Sequence, residues 1–424
     1  MNTELFAIIA LFILGFGVIS GRIEKSVITP PMAFVTFGLL LSPPLFGLLN
    51  LELEHEIVRI IAEFTLILVL FTDASQINLK LLRREYNLPV RLLGIGLPLT
   101  IILGTILAVL LLGGRLEFWE AAALATILAP TDAALGQAVV SSPRVPICIR
   151  QSLNVESGLN DGICLPILLI FLSLAGTMEG TGTASFWFRF AAMQVILGPI
   201  VGVAVGYIGG WLVSESVRRK WITHSFEDLS VLGLSLCAYA IAELVGGNGF
   251  IAAFCAGLTL GNTAPSICDC LYEFGEAEGQ LLVLLIFMIY GSIMVFPALD
   301  GVSWQMVLYA VATLTIARMV GVAISVIGMK LRWYTILFLG WFGPRGVASI
   351  LYGLLILEGD GIQGSEVIFS TMVLTVLISV FAHGLTAFPG ANWYGNRMAR
   401  FKGTHEIPEL MPSSEMPVGL SWRK

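Results

Sequence analysis

The segment from Asn154 to Asp161 places several oxygen-bearing side chains in an otherwise apolar run. Residues four or seven apart share one face of a helix, so Ser157 and Asn154 align with Asp161. Glu156 and Asn160 form a second pair on a slightly rotated face. Two carboxylates and three neutral oxygen donors would then converge within about two turns. Such oxygens are the ligands that hard cations prefer.

A second polar motif, Ala-Pro-Thr-Asp, surrounds a proline within another apolar run. Pro130 lacks a backbone N–H and should break the helix at this point. The carbonyls freed just before the break and the Thr131 hydroxyl would be ligands for an alkali cation. Asp132 would either join these ligands or cap the half-helix that follows Pro130.

The motif Phe-Gly-Pro-Arg-Gly at 342–346 predicts a second interrupted helix. Gly and Pro disrupt the helix there, and Arg345 places a permanent positive charge at the break. A charged side chain at membrane depth costs at least ~2.5 kcal/mol on insertion scales, so such a residue indicates a functional site by default. Discontinuous helices that carry polar groups indicate a transport site near the membrane midplane.

The composition assigns these motifs to a membrane protein. Of 424 residues, 57% are hydrophobic and 12% are charged, whereas soluble domains average about 45–50% and about 25%. The net charge of −6 and the lack of a basic run with interleaved aromatic residues argue against nucleic acid as a partner. We therefore predict an all-α polytopic membrane protein with the lipid bilayer as its surroundings.

Apolar runs bounded by charge, Pro or Gly predict about 13 transmembrane helices. They cover 4–20, 28–48, 57–75, 88–112, 118–140, 152–176, 186–213, 228–246, 249–262, 274–297, 303–328, 333–357 and 366–389. The fifth and the twelfth contain the two breaks, and an odd number of crossings separates them, so they run in opposite directions. Two inverted six-helix repeats joined by the seventh span have this arrangement.

Loop charges predict the orientation, because Lys and Arg near span ends stay in the cytoplasm. Basic residues fall in alternate loops and in the C-terminal tail, at Arg22, Lys25, Lys80, Arg83, Arg84, Arg144, Arg150, Arg218, Arg219, Lys220, Lys330, Arg332, Arg397, Arg400 and Lys402. We expect a multi-pass protein of the cell (inner) membrane with its N-terminus outside. Residues 1–390 would form the transmembrane domain, and 391–424 a short cytoplasmic tail.

With these motifs in this order, the chain resembles the NhaP-type sodium/proton antiporters of the monovalent cation/proton antiporter family. The resemblance rests on Ala-Pro-Thr-Asp, Glu-Ser-Gly-Leu-Asn-Asp and Phe-Gly-Pro-Arg-Gly, and in the number of spans it extends over nearly the whole chain. It implies crossing discontinuous helices, a six-helix core that slides against a dimer-forming scaffold, and a homodimer.

The resemblance also implies roles for individual residues. Asp161 would bind the cation and the proton in turn, and Asn160 would be the first member of the Asn-Asp pair of electroneutral exchangers. Arg345 would pair with Glu156. The ion and proton site would comprise Asp161, Glu156, Ser157, Asn160 and Thr131, of which Asp161, Ser157 and Thr131 would contact the cation. Supporting roles are expected for Asp132, Asn154, Arg318 and Arg345.

These expectations define one transport reaction. A poorly hydrated pocket favours the protonated carboxyl group, so Na+ or Li+ can compete with H+ for Asp161. If only the loaded forms cross, exchange is obligatory, because an unpaired charge in a moving core is expensive. Asn160 adds no second titratable group, which predicts electroneutral exchange of one cation for one proton by alternating access. We expect no enzymatic activity and no cofactor beside the transported ions.

Three alternatives are open at this point. A K+/H+ antiporter of the same fold would use the same residues, since ion choice depends on cavity dimensions. Asp132 and Asp161 could instead be the proton-sharing pair of an intramembrane aspartyl protease. Glu156 and Arg345 could be a buried pair that only fixes the geometry of the core.

Other ionisable and sulfur-bearing residues give weaker signals. Arg318 would pair with a carboxylate in the core or interact with the C-terminus of a helix. Glu63, Asp73 and Glu243 lie near predicted span ends or in the scaffold, which favours a water-facing or packing role. His383 could sense pH, although a lone membrane histidine is more often a hydrogen-bonded helix contact. The six cysteines are interpreted as packing residues, and the C-x-C pair lacks further ligands for a metal.

Overall fold

The structure is a computed structural model, and it describes residues 3–23, 26–48, 56–77, 79, 87–132, 135–178, 184–264, 279–357 and 362–401. Several residues that carried sequence expectations lie outside the described residues: Lys25, Lys80, Arg83, Arg84, Lys402, Cys268 and Cys270. The described residues form helices and no strand, which confirms the all-α class.

The helices are, in chain order, α1 (Thr3–Ile23), α2 (Pro30–Leu41), α3 (Glu56–Ser75), α4 (Asn87–Leu112), α5 (Phe118–Ile127), α6 (Gln137–Val140), α7 (Ile147–Met178), α8 (Ala184–Arg218), α9 (His224–Leu244), α10 (Gly249–Thr263), α11 (Gln280–Leu299), α12 (Trp304–Ser325), α13 (Trp333–Trp341), α14 (Val347–Leu357) and α15 (Ser365–Ala399). Helices α4, α11 and α12 each contain one π-helical turn. Seven of the described helices are long and apolar enough to cross a membrane. They are α1, α4, α7, α8, α11, α12 and α15, and the total of about 13 crossings stays a prediction.

Both predicted helix breaks are present. Helix α5 ends at Ile127 and α6 begins at Gln137, so Pro130 lies in an extended linker. Helix α13 ends at Trp341 and α14 begins at Val347, on either side of the second Gly-Pro motif. The two linkers meet in space, because the backbone N–H of Asp132 donates to the carbonyl of Pro344 at 2.8 Å.

Several other helices pack closely against one another, in places backbone against backbone. Helix α7 packs against α5 and α3, and α3 packs against α10. On α8, the backbone at Gly198, Gly202 and Gly206 approaches α10 so closely that a β-carbon at any of them would collide with it. Small residues permit such approach where apolar driving force between helices is weak, as it is in lipid.

Helix α15 extends further than the last predicted span. It continues to Ala399 as one helix, although Pro389 lies inside it. Its last turns pack against α6 and α13 through a second buried cluster that includes Val139, Phe338 and Tyr394. The predicted division at 390/391 therefore falls within a helix, and the two-part domain organisation stays a prediction.

Candidate functional site

The first break is held to α7 by two side-chain hydrogen bonds. The Ser157 hydroxyl donates to the Thr131 carbonyl at 2.5 Å, and the Asn160 amide donates to the Thr131 hydroxyl at 2.7 Å. All three residues are buried. The side chains that the sequence assigned to an ion site thus meet at the extended linker, where the backbone is free of helical hydrogen bonds.

Asp161 lies one residue after Asn160 on α7 and is 8% exposed. Its side-chain Oδ1 and the Oδ1 of Asn160 are both buried and make no hydrogen bond within the described residues. The main-chain carbonyl of Asp161 accepts the Tyr352 hydroxyl of α14 at 2.7 Å. Two acceptor oxygens are therefore open at the place where Ser157 and Thr131 offer further oxygens, which suits a bound cation.

The second break supplies donors to the carbonyl end of α5. The Arg345 guanidinium donates from Nη1 to the carbonyls of Ala129 and Pro130, at 2.6 and 3.1 Å. The Ser349 hydroxyl donates to the Ile127 carbonyl at 2.8 Å. The last carbonyls of a helix have no partner within it and carry partial negative charge, so a guanidinium there is favourable.

This arrangement corrects one expectation about cation ligands. The carbonyls just before the break were expected to face the cation, yet those of Ala129 and Pro130 face the positive charge of Arg345. Like charges repel, so these two carbonyls are unsuited to a cation while Arg345 is in place. The Thr131 carbonyl, which faces Ser157, is the backbone oxygen at the candidate site.

Asp132 caps a helix, but a different helix from the expected one. Its Oδ2 accepts the backbone N–H of Val347 at 2.9 Å, so it caps the N-terminus of α14. Helix α6, which follows Pro130, begins after Gly136 without a side-chain cap. Because the two linkers cross, an acidic residue of one reaches the positive end of the helix that starts at the other.

The predicted pairing of Arg345 with Glu156 is wrong. Arg318 of α12 donates from Nη1 and Nη2 to both carboxylate oxygens of Glu156, with 2.8 Å between Nη2 and Oε2. Both side chains are almost completely buried. A π-helical turn, Thr313–Ala317, directly precedes Arg318; such a turn rotates the residues that follow it and is frequent at functional sites.

The two glycines of Phe-Gly-Pro-Arg-Gly make room for these charged side chains. A β-carbon at Gly343 would lie 2.6 Å from Nε of Arg318, and one at Gly346 would collide with the Asp132 carboxylate. The motif therefore provides Arg345 and also the space for two charged groups from elsewhere in the chain.

Asp73 was assigned to a span end, but the structure brings it near Asp161. Helix α3 packs on α7 at Gly158, where a β-carbon would lie 3.9 Å from the Asp73 Cβ and carbonyl oxygen. Gly158 lies one turn before Asp161 on α7, so this approach places Asp73 beside the turn that carries Asp161. Gly158 was the available sequence signal for a close approach, but the sequence did not show which helix approaches.

The remaining candidates lie away from the linker contacts. Asn154 is half-buried on α7, and none of the described hydrogen bonds to the linkers involves its side chain. Glu63 is half-buried on α3. Glu243 accepts the backbone N–H of Gly249 at 2.7 Å, a local contact between α9 and α10.

Comparisons with known proteins cover nearly the whole chain. Residues 7–393 match the family described as "Sodium/hydrogen exchanger, transmembrane". The chain is 24% identical over 415 residues to the K(+)/H(+) antiporter NhaP of Alkalimonas amylolytica, covering 97% of this chain and 70% of that one. It is 26% identical over 309 residues to a probable Na(+)/H(+) antiporter of Schizosaccharomyces pombe, covering 64% of this chain and 40% of that one.

The fold also resembles that of a solved structure. The sodium proton antiporter MjNhaP1 of Methanocaldococcus jannaschii, at pH 8, superposes with a TM-score of 0.76. The match covers 92% of this chain and 99% of that chain at 20% sequence identity. The antiporter fold with interrupted helices, expected from the three motifs, is thereby confirmed.

Proposed function

Because this chain belongs to the sodium/hydrogen exchanger family, whose members are antiporters and not enzymes, we propose that it exchanges Na+ or Li+ for H+ at Asp161. Membership of this family excludes the intramembrane aspartyl protease that the two carboxylates of Asp132 and Asp161 had left open. The geometry of the two residues agrees, since Asp132 caps α14.

One observation carries the proposal. Among the described residues, no hydrogen-bond partner reaches the buried Oδ1 atoms of Asp161 and Asn160, which lie beside the Thr131 and Ser157 oxygens. A buried acceptor without a partner costs about 1–3 kcal/mol, more if it is charged. A bound cation or a proton on Asp161 would remove this cost, so binding of one or the other stabilises the site.

Competition between the two ions follows from this cost. A bare Asp161 carboxylate is unfavourable in a buried site, whereas its protonated and its cation-bound forms carry less net charge. Asn160 contributes an oxygen but does not titrate. The exchange is therefore one cation for one proton, and the loaded forms alone cross the membrane.

A K+/H+ antiporter is the second candidate, because the names of the relatives are divided between the two cations. The Alkalimonas amylolytica relative is named a K(+)/H(+) antiporter, whereas MjNhaP1 is named a sodium proton antiporter. Both cations suit oxygen ligands and differ in the cavity size that they need. The order of effectiveness among Na+, Li+ and K+ decides between the two candidates.

Proton flux in proteoliposomes tests the function directly. Wild-type protein should move protons when an outward or inward gradient of the preferred cation is imposed, and clamping the membrane potential at different values should leave the rate unchanged. Asp161→Asn should abolish the coupled flux. Asp300→Asn, the same chemical change at an exposed residue, should retain it. Flux that persists in Asp161→Asn would contradict the assignment, and a rate that follows the potential would contradict electroneutrality.

The proposal includes the setting of the protein. It lies in the cell (inner) membrane, with the N-terminus outside and the C-terminus in the cytoplasm, and it works as a homodimer. Helix α1 supports a dimer or an extensive lipid contact, because within the described part of the chain Leu5 is its one buried residue. Cross-linking in native membranes tests the dimer, and labelling of single cysteines at either terminus tests the orientation.

A further inference from the structure

One face of α15 carries three polar side chains beside the second break. Ser379, His383 and Thr386 are four and then three residues apart, so they lie on the same side of the helix. Ser379 and His383 are 0% and 1% exposed. None of the three contributes an oxygen or a charge to the ion site described above.

Ser379 is hydrogen-bonded to the backbone of Arg345 in the linker between α13 and α14. Its hydroxyl oxygen accepts the backbone N–H of Arg345 at 2.6 Å. This bond fixes the backbone from which the guanidinium reaches across to the carbonyls of Ala129 and Pro130. Ser379 thereby acts on the first break through Arg345, although it does not touch it.

His383 and Thr386 contact Trp341, the last residue of α13, which directly precedes the same break. The Trp341 indole N–H donates to the Thr386 hydroxyl at 2.9 Å. The His383 ring lies against the indole, with 4.9 Å between ring centroids and 30° between planes. His383 Nδ1 is 3.0 Å from the Ser379 carbonyl and 3.2 Å from its hydroxyl, which orients the ring.

Other hydroxyls on α15 bond back to their own helix, and the Thr386 hydroxyl also does so, to the Ala382 carbonyl at 2.7 Å. Those of Thr371 and Thr375 are also completely buried, but they donate to carbonyls one turn earlier in their own helix. This back-bonding is the ordinary way in which a helical hydroxyl is satisfied. The Ser379 hydroxyl instead accepts a hydrogen bond from the linker between α13 and α14. Ser379 therefore helps to hold that linker in place.

We propose that Ser379, with His383 and Thr386, is a positioning element that holds the second break so that Arg345 stays on the carbonyl end of α5. It keeps those carbonyls from the cation and leaves the Thr131 carbonyl as the backbone ligand. The consequence for transport rests on the proposed function, whereas the contact with Arg345 does not.

The first experiment measures, without any ion, the coupling between Ser379 and the Arg345 guanidinium, which Arg345→Gln removes while the backbone N–H of residue 345 is kept. Ser379→Ala and Arg345→Gln are combined in a double-mutant cycle on thermal unfolding of the purified protein in detergent without added cation. If Ser379 acts through Arg345, the second change has a smaller effect in the presence of the first. Additive effects would overturn the proposal, and this result does not depend on whether the protein is an antiporter.

The second experiment measures positioning. Ser379→Ala should raise the cation concentration for half-maximal proton flux about fivefold, the effect of one lost hydrogen bond. Ser379→Thr, which keeps the hydroxyl, should restore it, and Thr375→Val on the same buried helix should leave it unchanged. Equal changes in Ser379→Ala and Thr375→Val would overturn the proposal. If wild-type protein showed no cation-dependent flux, the proposed function would fail, and the unfolding cycle would still decide whether Ser379 is coupled to the Arg345 guanidinium.

Discussion

The two interrupted helices are similar in backbone shape and opposite in chemistry. The first break presents oxygens to α7, with the Thr131 carbonyl and hydroxyl bonded to Ser157 and Asn160. The second break presents a guanidinium, and its neighbours on α15 are Ser379 and His383. One break is built around oxygen acceptors, which we propose as cation ligands, and the other around a fixed positive charge.

Each break satisfies the helix end of the other. Arg345 donates to linker carbonyls that follow the C-terminus of α5, and Asp132 accepts the N–H of Val347 at the N-terminus of α14. A helix end buried without partners would be strongly unfavourable, because up to four backbone groups are left unpaired there. The exchange of caps therefore explains how two breaks can lie in a buried core. It also leaves Asp161 as the acid at the first break that neither caps a helix nor forms an ion pair in the described residues.

The largest effect should come from the Arg318–Glu156 pair, which we expect to support the second break because Arg318 lies against Gly343. Arg318→Met leaves the buried Glu156 carboxylate without its partner and should cost about 3–5 kcal/mol of stability, whereas a further Glu156→Leu should restore most of it. Thermal unfolding in detergent measures both. Arg219→Met, at an exposed pair with Glu215, should cost at most about 1 kcal/mol. A stable Arg318→Met variant would show that the pair does not support the break.

The contact between the two linkers should be destabilised by an added methyl group at Gly346. Gly346→Ala places a β-carbon against the Asp132 carboxylate, and overpacking of this kind typically costs about 1–3 kcal/mol. Gly233→Ala is the matched control, since nothing lies within 4 Å of a β-carbon at that position on α9. The unfolding midpoints of the two variants are compared, and equal midpoints would argue against a close fit between the linkers.

At the first break, loss of a ligand should change cation affinity more than stability. Ser157→Ala removes an oxygen and the bond to the Thr131 carbonyl, and should raise the cation concentration for half-maximal flux about tenfold. Ser152→Ala on the same helix is the control, because Ser152 is equally buried and donates only to the Cys148 carbonyl of its own helix. Similar affinities in both variants would remove Ser157 from the site.

The smallest effect should come from Asp73, which acts at a distance. Asp73→Asn removes a carboxyl group near Asp161 and should weaken the apparent cation affinity about threefold, without loss of exchange. The cation dependence of proton flux measures this. Complete loss of exchange would instead make Asp73 a direct ligand, and the first break would then extend to α3.

The breaks and the residues around them could be predicted from sequence, because they depend on local properties. Pro130 and the Gly-Pro pair at 343–344 favour a helix break because proline lacks a backbone N–H, and the spacing from Ser157 to Asp161 fixes one face of α7. Proline alone does not decide the break, since Pro199 and Pro389 lie inside continuous helices. The pairings could not be predicted. Arg318 and Arg345 were both available to Glu156, and the choice depends on the π-helical turn before Arg318 and on the crossing of the linkers.

Asp73 is another residue whose neighbours could not be predicted from sequence. Its distance from the predicted end of its span is a local property, and that property favoured a water-facing role. Its closeness to α7 depends on Gly158, where the backbones of α3 and α7 approach. A small residue in the sequence indicates that some helix approaches, but the partner is a property of the whole fold.

The central claim is that cation and proton bind in turn to Asp161 at the first break, and proton release tests it most directly. The preferred cation is added to purified protein in weakly buffered detergent solution, and the protons released are counted with a pH indicator dye. Wild-type protein should release up to one proton per cation bound, and Asp161→Asn should release none. Proton release that is unchanged in Asp161→Asn would contradict the account.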